Sequence, residues 1–405
     1  MAFVLYDDRA ARAFEPFALT RPAGELRAGG ELIRRRWENV LGGSAAGFVG
    51  AAHLAQFAEF DAPRAASGKL PVGTVLVNAR CAPALSPGSA RGASAVMSKG
   101  TGRWLCEGRV AAVRLQKPLA VSALSDGTAT LESLAHEGVD AEIAGWWMDQ
   151  VWDLIRHLTP MLAADAVALA PRAPSAPEAL TVLGDHQVHV DLAATVEPLV
   201  VVDATAGPVL VRRGAHVQAF TRLVGPCIIG EDATVTGGRV AACSIGERAK
   251  VNGEISVSIM IGHTNKGHDG FVGHSILGRW ANLGAGTITS NLKNSYGSVA
   301  LWTPRGTEDT GLQFLGSLIG DHVKTGIGTL LTTGCVVGAG ANVFGSTMPP
   351  KAVPPFAWGE GPRWDVFALD KFLEVAERVM GRRDVKLTPE MRAQLTAAHA
   401  ARWSA

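Results

Sequence analysis

Residues 211–235 read VRRGAHVQAFTRLVGPCIIGEDATV, and in them Val211, Val217, Leu223, Ile229 and Val235 stand six residues apart. The interval returns in Ile245, Val251 and Val257, in Leu277 and Leu283, and in Ile319, Thr325, Leu331, Val337 and Val343, with Thr325 the one polar member. A period of six fits neither the helical period of about 3.6 nor the alternation of a half-buried strand. It fits short strands joined by tight turns, each strand placing one aliphatic residue inward. Three hexapeptides then close one triangular coil, and coils stacked at roughly 4.8 Å, the spacing of paired strands, bury a column of Ile, Val and Leu. The expected fold of this region is a left-handed parallel β-helix, a class that departs from the right-handed crossover rule and commonly trimerises through its prism faces. A β-sandwich is the competing reading, but it would alternate and turn at irregular intervals. Breaks between the four runs mark inserted loops.

Outward from the repeats the pattern changes. FVLYDD, AGFVGAA and GTVLVNAR are short apolar runs separated by helix-like segments such as GELIRRRWENVL, which predicts an α/β domain with a parallel sheet. Residues 93–116 suggest a hairpin, residues 145–170 a helix, and APRAPSAPEAL (170–180) a Pro/Ala-rich linker. PPKAVPPFAWGEGP closes the repeats, and 364–405 is a helical tail interrupted around Arg382, Arg383 and Lys386. The expected domains are 1–180, 181–358 and 359–405.

Bulk properties exclude several classes. A formal net charge of +1 with no long Lys/Arg block argues against a nucleic-acid partner. Five scattered cysteines without CxxC spacing suit reduced, buried thiols rather than a disulfide framework. MAFVLYDDRAARAF lacks a charged leader followed by a long apolar region, and no apolar run is long enough to span a membrane. The expectation is a soluble cytoplasmic protein acting on small molecules.

The chemistry-bearing residues crowd into 265–297, NKGHDGFVGHSILGRWANLGAGTITSNLKNSYG, between two hexapeptide runs. His268 suits general-base work, because an imidazole accepts a proton near neutral pH. Asn282 and Asn291 equally suit turn corners, since Asn tolerates left-handed backbone angles. Lys266 and Lys293 are open to a solvent-facing reading. His263, His268 and His274 raise a zinc alternative, as in prism-shaped carbonic anhydrases, although their spacing does not reproduce that ligand pattern.

GHDGFVGHSILGRWANLGAGTITSNLKN resembles the acetyltransferase centre of the bifunctional N-acetylglucosamine-1-phosphate uridyltransferase/glucosamine-1-phosphate acetyltransferase family: His268, an aromatic three residues on, Asn282, the turn Gly284 to Thr287, and Asn291. FALTRPAGELRAGGELIRRRWE, VLVNARCAP and VWDL resemble a divergent bacterial branch of the same family. The resemblance implies acetyl-CoA-dependent N-acetylation of an amino-sugar 1-phosphate by the β-helix. His268 would be the base, Asn282, Asn291, Lys266 and Lys293 would meet the substrate, and Ala285 and Gly286 would meet acetyl-CoA, while backbone N–H groups stabilise the oxyanion. It also implies nucleotidyl transfer from UTP or another NTP, with Mg²⁺, by the N-terminal domain, and a homotrimer.

Four departures stand out. Phe271 replaces a tyrosine, and Ile327 replaces a serine that helps hold the acyl group. The usual G-x-G-T-R-M-x-P loop is missing, and Arg21, Arg27, Gly29 and Gly30 before a helix are its candidate substitute for binding the nucleotide. Asn78 stands where an Asp would ligate Mg²⁺, leaving Asp7 and Asp8 as candidate metal ligands. The other readings are a single-function acyltransferase with a degenerate N-terminal domain and a non-catalytic trimeric scaffold. Residues 301–313 would border the acceptor, and Arg382 and Arg383 would either meet coenzyme A phosphate or cap a helix end.

Overall fold

The computed structural model describes residues 3–85, 100–135, 138–171, 177, 180–361 and 363–403. The 170–180 linker and the start of the 93–116 segment lie largely outside them. The chain divides into two compact units. The first comprises Met1–Phe14, Ala18–Asp153 and Thr388–Ala401, and the second Glu15–Phe17, Leu154–Leu387 and Arg402–Ala405. This division differs from the expected break at 180, since the helix Leu158–Leu169 belongs to the second unit and the helix Pro389–Ala400 to the first.

The first unit is built on a six-stranded mixed sheet ordered Val139–Glu142, Thr101–Cys106, Arg109–Arg114, Val75–Asn78, Phe3–Tyr6, Ala45–Val49. Phe3–Tyr6 is buried along its whole length and pairs in parallel on both sides, as a continuous apolar run does in the middle of a sheet. Arg109–Arg114 runs antiparallel to both neighbours, so the sheet is mixed rather than parallel. The expected hairpin forms here, turning at Glu107 and Gly108, which both have positive φ, as a tight two-residue turn requires. The helix Ile33–Leu41 buries Ile33, Trp37 and Leu41 along one face, four residues apart. The helix expected over 145–170 is shorter than anticipated. Gly145–Trp147 is instead a strand paired with Cys81–Pro83, and the helical part is confined to Asp153–Arg156 and Leu158–Leu169.

The second unit is a parallel β-solenoid. One face stacks nine strands from Val188–Val190 to Ala352–Val353, a second stacks six from Thr181–Leu183 to Phe271–Gly273, and a third stacks five from Thr195–Val196 to Asn265–Lys266. Val211, Val217, Leu223, Ile229 and Val235 are all fully buried in its core, as the period of six predicted. The coils are not uniform. Ile229 pairs with Ile245 and Ile245 with Met260, so these coils are two or three residues short of eighteen. Ile255 therefore points inward, while Val257, expected in the core, lies at a corner with left-handed backbone (φ 45°). A 42-residue excursion separates Leu277 from its partner Ile319, and the ladder closes across it.

Thr325 keeps its place in the column because its hydroxyl is satisfied. Its Oγ1 accepts from the Gly284 N–H at 3.0 Å and lies 2.8 Å from Thr287 Oγ1. Replacing it by valine, the residue type the column otherwise favours, leaves the buried Thr287 hydroxyl without this partner. Thr325→Val is expected to lower unfolding free energy by about 1–2 kcal/mol in urea titration, despite the gain in apolar surface.

Candidate active site

The third face of the solenoid carries an in-register outer ladder of Thr195, His216, Thr234, Lys250, Asn265, Asn282, Lys324, Asn342 and Trp358. Its middle four rungs, with His263, His268, Trp280, Val375, Val379, Arg382 and Arg383, line a cavity of about 600 Å³. No acidic residue is among these lining residues. His268 is exposed and Asn282 half-buried, so the expected base and one expected substrate ligand open onto the same space. Asn265 Nδ2 donates to Asn282 Oδ1 at 2.6 Å, which orients the Asn282 amide and leaves its Nδ2 as the group offered to a ligand oxygen.

Three residues on from this ladder, His268, Ala285 and Ile327 occupy successive turns of one corner. The Gly286 N–H donates to Asp269 O (3.0 Å) and the Gly328 N–H to Ala285 O (2.7 Å), fixing that register. Gly286 and Gly328 have φ near +70°, a conformation that lets the corner turn without a side chain in the way. Between the engaged N–H groups of Gly284 and Gly286, the Ala285 N–H makes no hydrogen bond among the described residues. Ile327 is 81% exposed one turn further along.

Lys266 corrects the sequence expectation. It pairs in register with Val251, points into the solenoid and is fully buried. Its Nζ donates to the carbonyls of His268 and Asp269, so it ties down the corner that presents the imidazole instead of meeting substrate. Burial lowers its pKa to about 8, opposed by the nearby Asp269. Asn291 also lies away from the cavity lining. Its Nδ2 is 2.9 Å from His274 Nδ1, and the His274 ring stacks on Phe314 at 5.3 Å. Lys293 donates to Ser298 O at 2.9 Å. The 301–313 segment contributes to an antiparallel hairpin, Ala300–Thr303 with Gly306–Asp309, and does not line the cavity. The zinc alternative finds no support: among the described residues no three His, Cys, Asp or Glu side chains converge.

In the first unit, the carboxyl ends of Phe3–Tyr6 and Val75–Asn78 bring Asp8 and Asn78 together at 3.0 Å, on a cavity of about 390 Å³ that also exposes Arg80, Arg109, Thr128, Thr130, Glu132 and Trp147. Arg80 donates to both oxygens of Asp8 (2.9 and 2.7 Å) and to Asp149 (2.7 Å), and Arg109 lies 3.9 Å over the Trp147 ring. Burial alone would raise the Asp8 pKa, but Arg80 and the donors from Ala11 and Asn78 hold it below the usual range. Asp7 is buried, accepts among the described residues only from the Ala23 N–H through Oδ2, and is pushed up to about 7 by burial.

Mg²⁺ demands several convergent oxygen ligands in near-octahedral geometry. Here a guanidinium already spans Asp8, and Asp7 does not line the cavity, so Asp7 and Asp8 do not fit the ion in this arrangement. Arg21, Arg27, Gly29 and Gly30 are likewise buried. Arg21 pairs with Glu59 at 2.9 Å and Arg27 donates to Gly30 O at 2.7 Å, so both guanidinium groups brace the loop from inside instead of facing a phosphate. Sequence reasoning missed Arg80, Lys250 and Lys324. Only the register of the solenoid ladder brings the two lysines to their site, while Arg80 follows the end of the strand Val75–Asn78.

Residues 3–172 match the family model described as sugar nucleotidyl transferase. Over 100 residues it is 36% identical to the "Bifunctional protein GlmU" of Methanococcus vannielii, covering 25% of this chain and 24% of the relative. Over 91 residues it is 31% identical to a "Bifunctional sugar-1-phosphate nucleotidylyltransferase/acetyltransferase" of Sulfurisphaera tokodaii, covering 22% and 23%. The chain thus spans about a quarter of the length of these curated relatives. Among solved structures, a UDP-N-acetylglucosamine acyltransferase from Campylobacter jejuni aligns at 12% identity and TM-score 0.15, over 52% of this chain and 95% of that one.

The buried Asp7 sets a pH signature. Its pKa is raised from 3.8 to about 7, so above pH 4 the unfolded chain releases a proton that the folded chain keeps. This contribution to stability is complete below pH 4 and is lost as pH rises through 7. Asp7→Asn should therefore melt increasingly above the parent as pH climbs from 4 to 7, and a constant difference in melting temperature across that range would refute the assignment.

Proposed function

We propose that the solenoid transfers an acyl group from a coenzyme A thioester, acetyl-CoA in the simplest case, to the amine of an amino-sugar phosphate. The observation that carries this reading is the shared cavity: an exposed imidazole and an oriented amide on one wall, surrounded by cations and no carboxylate. In the step proposed, the free amine attacks the thioester carbonyl carbon and a C–N bond forms. His268 takes the amine proton, the C–S bond breaks, and the departing thiolate recovers that proton. The Ala285 N–H, one turn from His268, is available to the developing oxyanion. The apolar corner at Ile327 continues from it as a surface for the coenzyme's pantetheine arm. Asn282 Nδ2 holds a sugar or phosphate oxygen. Lys266 acts as a positioning residue through the carbonyls of His268 and Asp269.

The fuller, bifunctional reading adds nucleotidyl transfer from UTP to the sugar 1-phosphate in the first unit. The Asp8–Arg80 pair favours the narrower one, in which that domain binds a sugar nucleotide without turning it over. Trimerisation through the prism faces and a cytoplasmic setting accompany either reading. Among the described residues no helix is long and apolar enough to cross a membrane.

Thiol release from acetyl-CoA, measured across amino-sugar phosphates, should detect turnover that falls by about 10²–10⁴ in His268→Ala. Absence of turnover with every acceptor would favour a scaffold instead. With N-acetylglucosamine-1-phosphate, UTP and Mg²⁺, the narrower reading expects no pyrophosphate, whereas its release would restore the bifunctional one.

A further inference from the structure

The cavity beside His268 holds positive charge at two poles, besides the Arg382 and Arg383 that a coenzyme A phosphate would meet. Lys250, Lys324, Arg382 and Arg383 all face it, and among the described residues none of the four forms an ion pair with an Asp or Glu. Lys324 gives its ammonium only to carbonyls, those of Trp280 (2.8 Å) and His322 (2.9 Å), with Val323 O at 3.5 Å. Burial lowers its pKa to about 7, which is what an ammonium without a counter-charge shows. Arg383 is held down by burial and by its neighbour Arg382.

The poles are set by the ladder. Lys250 and Lys324 are three rungs apart, roughly 14 Å between backbones at roughly 4.8 Å per rung, with the paired amides of Asn265 and Asn282 between them. Their side chains also diverge. The Lys250 methylenes lie 3.6 Å from where a Cβ on Gly267 would sit, next to His268, whereas Lys324 turns to the opposite corner at Trp280 and His322. A hexosamine 1-phosphate carries its negative charge at one end of the ring and leaves one pole uncompensated.

We propose that the acceptor is an amino sugar with two separated anionic groups, a phosphate on one side of the ring and a carboxylate on the other, held between Lys250 and Lys324. This rests on the reading of the solenoid as an N-acyltransferase. The acceptor's chemistry then requires an oxidation of the sugar's primary alcohol to a carboxylate before acyl transfer. The amides between the poles take the neutral ring, and the amine falls beside His268.

Calorimetric titration of the full chain with glucosamine-1-phosphate, with 2-amino-2-deoxyglucuronic acid 1-phosphate and with inorganic phosphate tests the inference. The carboxylate-bearing sugar should bind at least about tenfold more tightly than glucosamine-1-phosphate, since a hydrogen bond to a charged group is at stake. Of Lys324→Met and Lys250→Met, each checked for fold by circular dichroism, the one that removes the carboxylate's partner should bring that ratio towards one, and the other, at the phosphate, should weaken both sugars alike. Equal or weaker binding of the carboxylate-bearing sugar overturns the proposal, as does a preference that survives both substitutions. If neither sugar releases thiol from acetyl-CoA, the acyltransferase reading fails, while the binding ratio still decides the two-anion preference.

Discussion

The solenoid depends on one constraint: each turn must hydrogen-bond to the turn below with its inward residue standing on the one beneath. Inter-turn bonds such as Ile245 O accepting from the Gly230 N–H (2.7 Å) satisfy the backbone, and the side-chain column follows from their register. Once register is fixed, every outward position is also fixed, because alternate residues of a strand face opposite ways. The candidate site is a by-product of that geometry. Asn265, Asn282 and Lys324 meet because they are rungs, and His268, Ala285 and Ile327 line up because the rungs lead into a common corner. The same constraint puts Lys266 indoors. A lysine at an inward position is tolerated because the corner above it offers two carbonyls, and the resulting bonds stiffen the segment bearing the imidazole.

The two cavities differ in how their charge is balanced. In the first unit Arg80 sits between Asp8 and Asp149, with Arg109 also on Asp149, so the cationic groups are largely answered within the protein. In the second, carbonyl dipoles and a neighbouring arginine are what the cations have. Internal neutralisation fixes side chains and weakens any demand for a charged ligand. Its absence leaves a field directed at whatever enters, stronger in a recess with low-dielectric walls than on an open surface.

The repeat was legible because hydrophobic spacing reports directly on which residue turns inward. Its finer metre was not. Turns shorter than three full hexapeptides put Ile255 inside and Val257 at a corner, and no local property of the two residues distinguishes them. His268 and Asn282 were legible from a motif, but Lys250 and Lys324 were not, since their neighbourhood depends on pairing between turns, in the case of Lys324 across a long excursion. Charged residues misled in a consistent way. Arg21, Arg27 and Lys266 sit in glycine-rich stretches that look like ligand loops, yet all three are buried with protein oxygens as partners. At the N-terminal site Asp8 and Asn78 were singled out, while Arg80, two residues beyond Asn78, carried no motif to mark it.

The ladder closes directly from Leu277 to Ile319 over the long excursion. Chain length at that one level is therefore uncoupled from the architecture above and below it, because the turns on either side bond as if nothing had been inserted. Residues can be gained or lost between Asn291 and Leu315, whose backbones bond at 3.0 Å, without altering the rung spacing on which His268 and Asn282 depend. Loop-closure entropy grows only slowly with length, so such changes are thermodynamically mild. The segment between Asn291 and Leu315 is a place where length can change while the candidate corner stays in step.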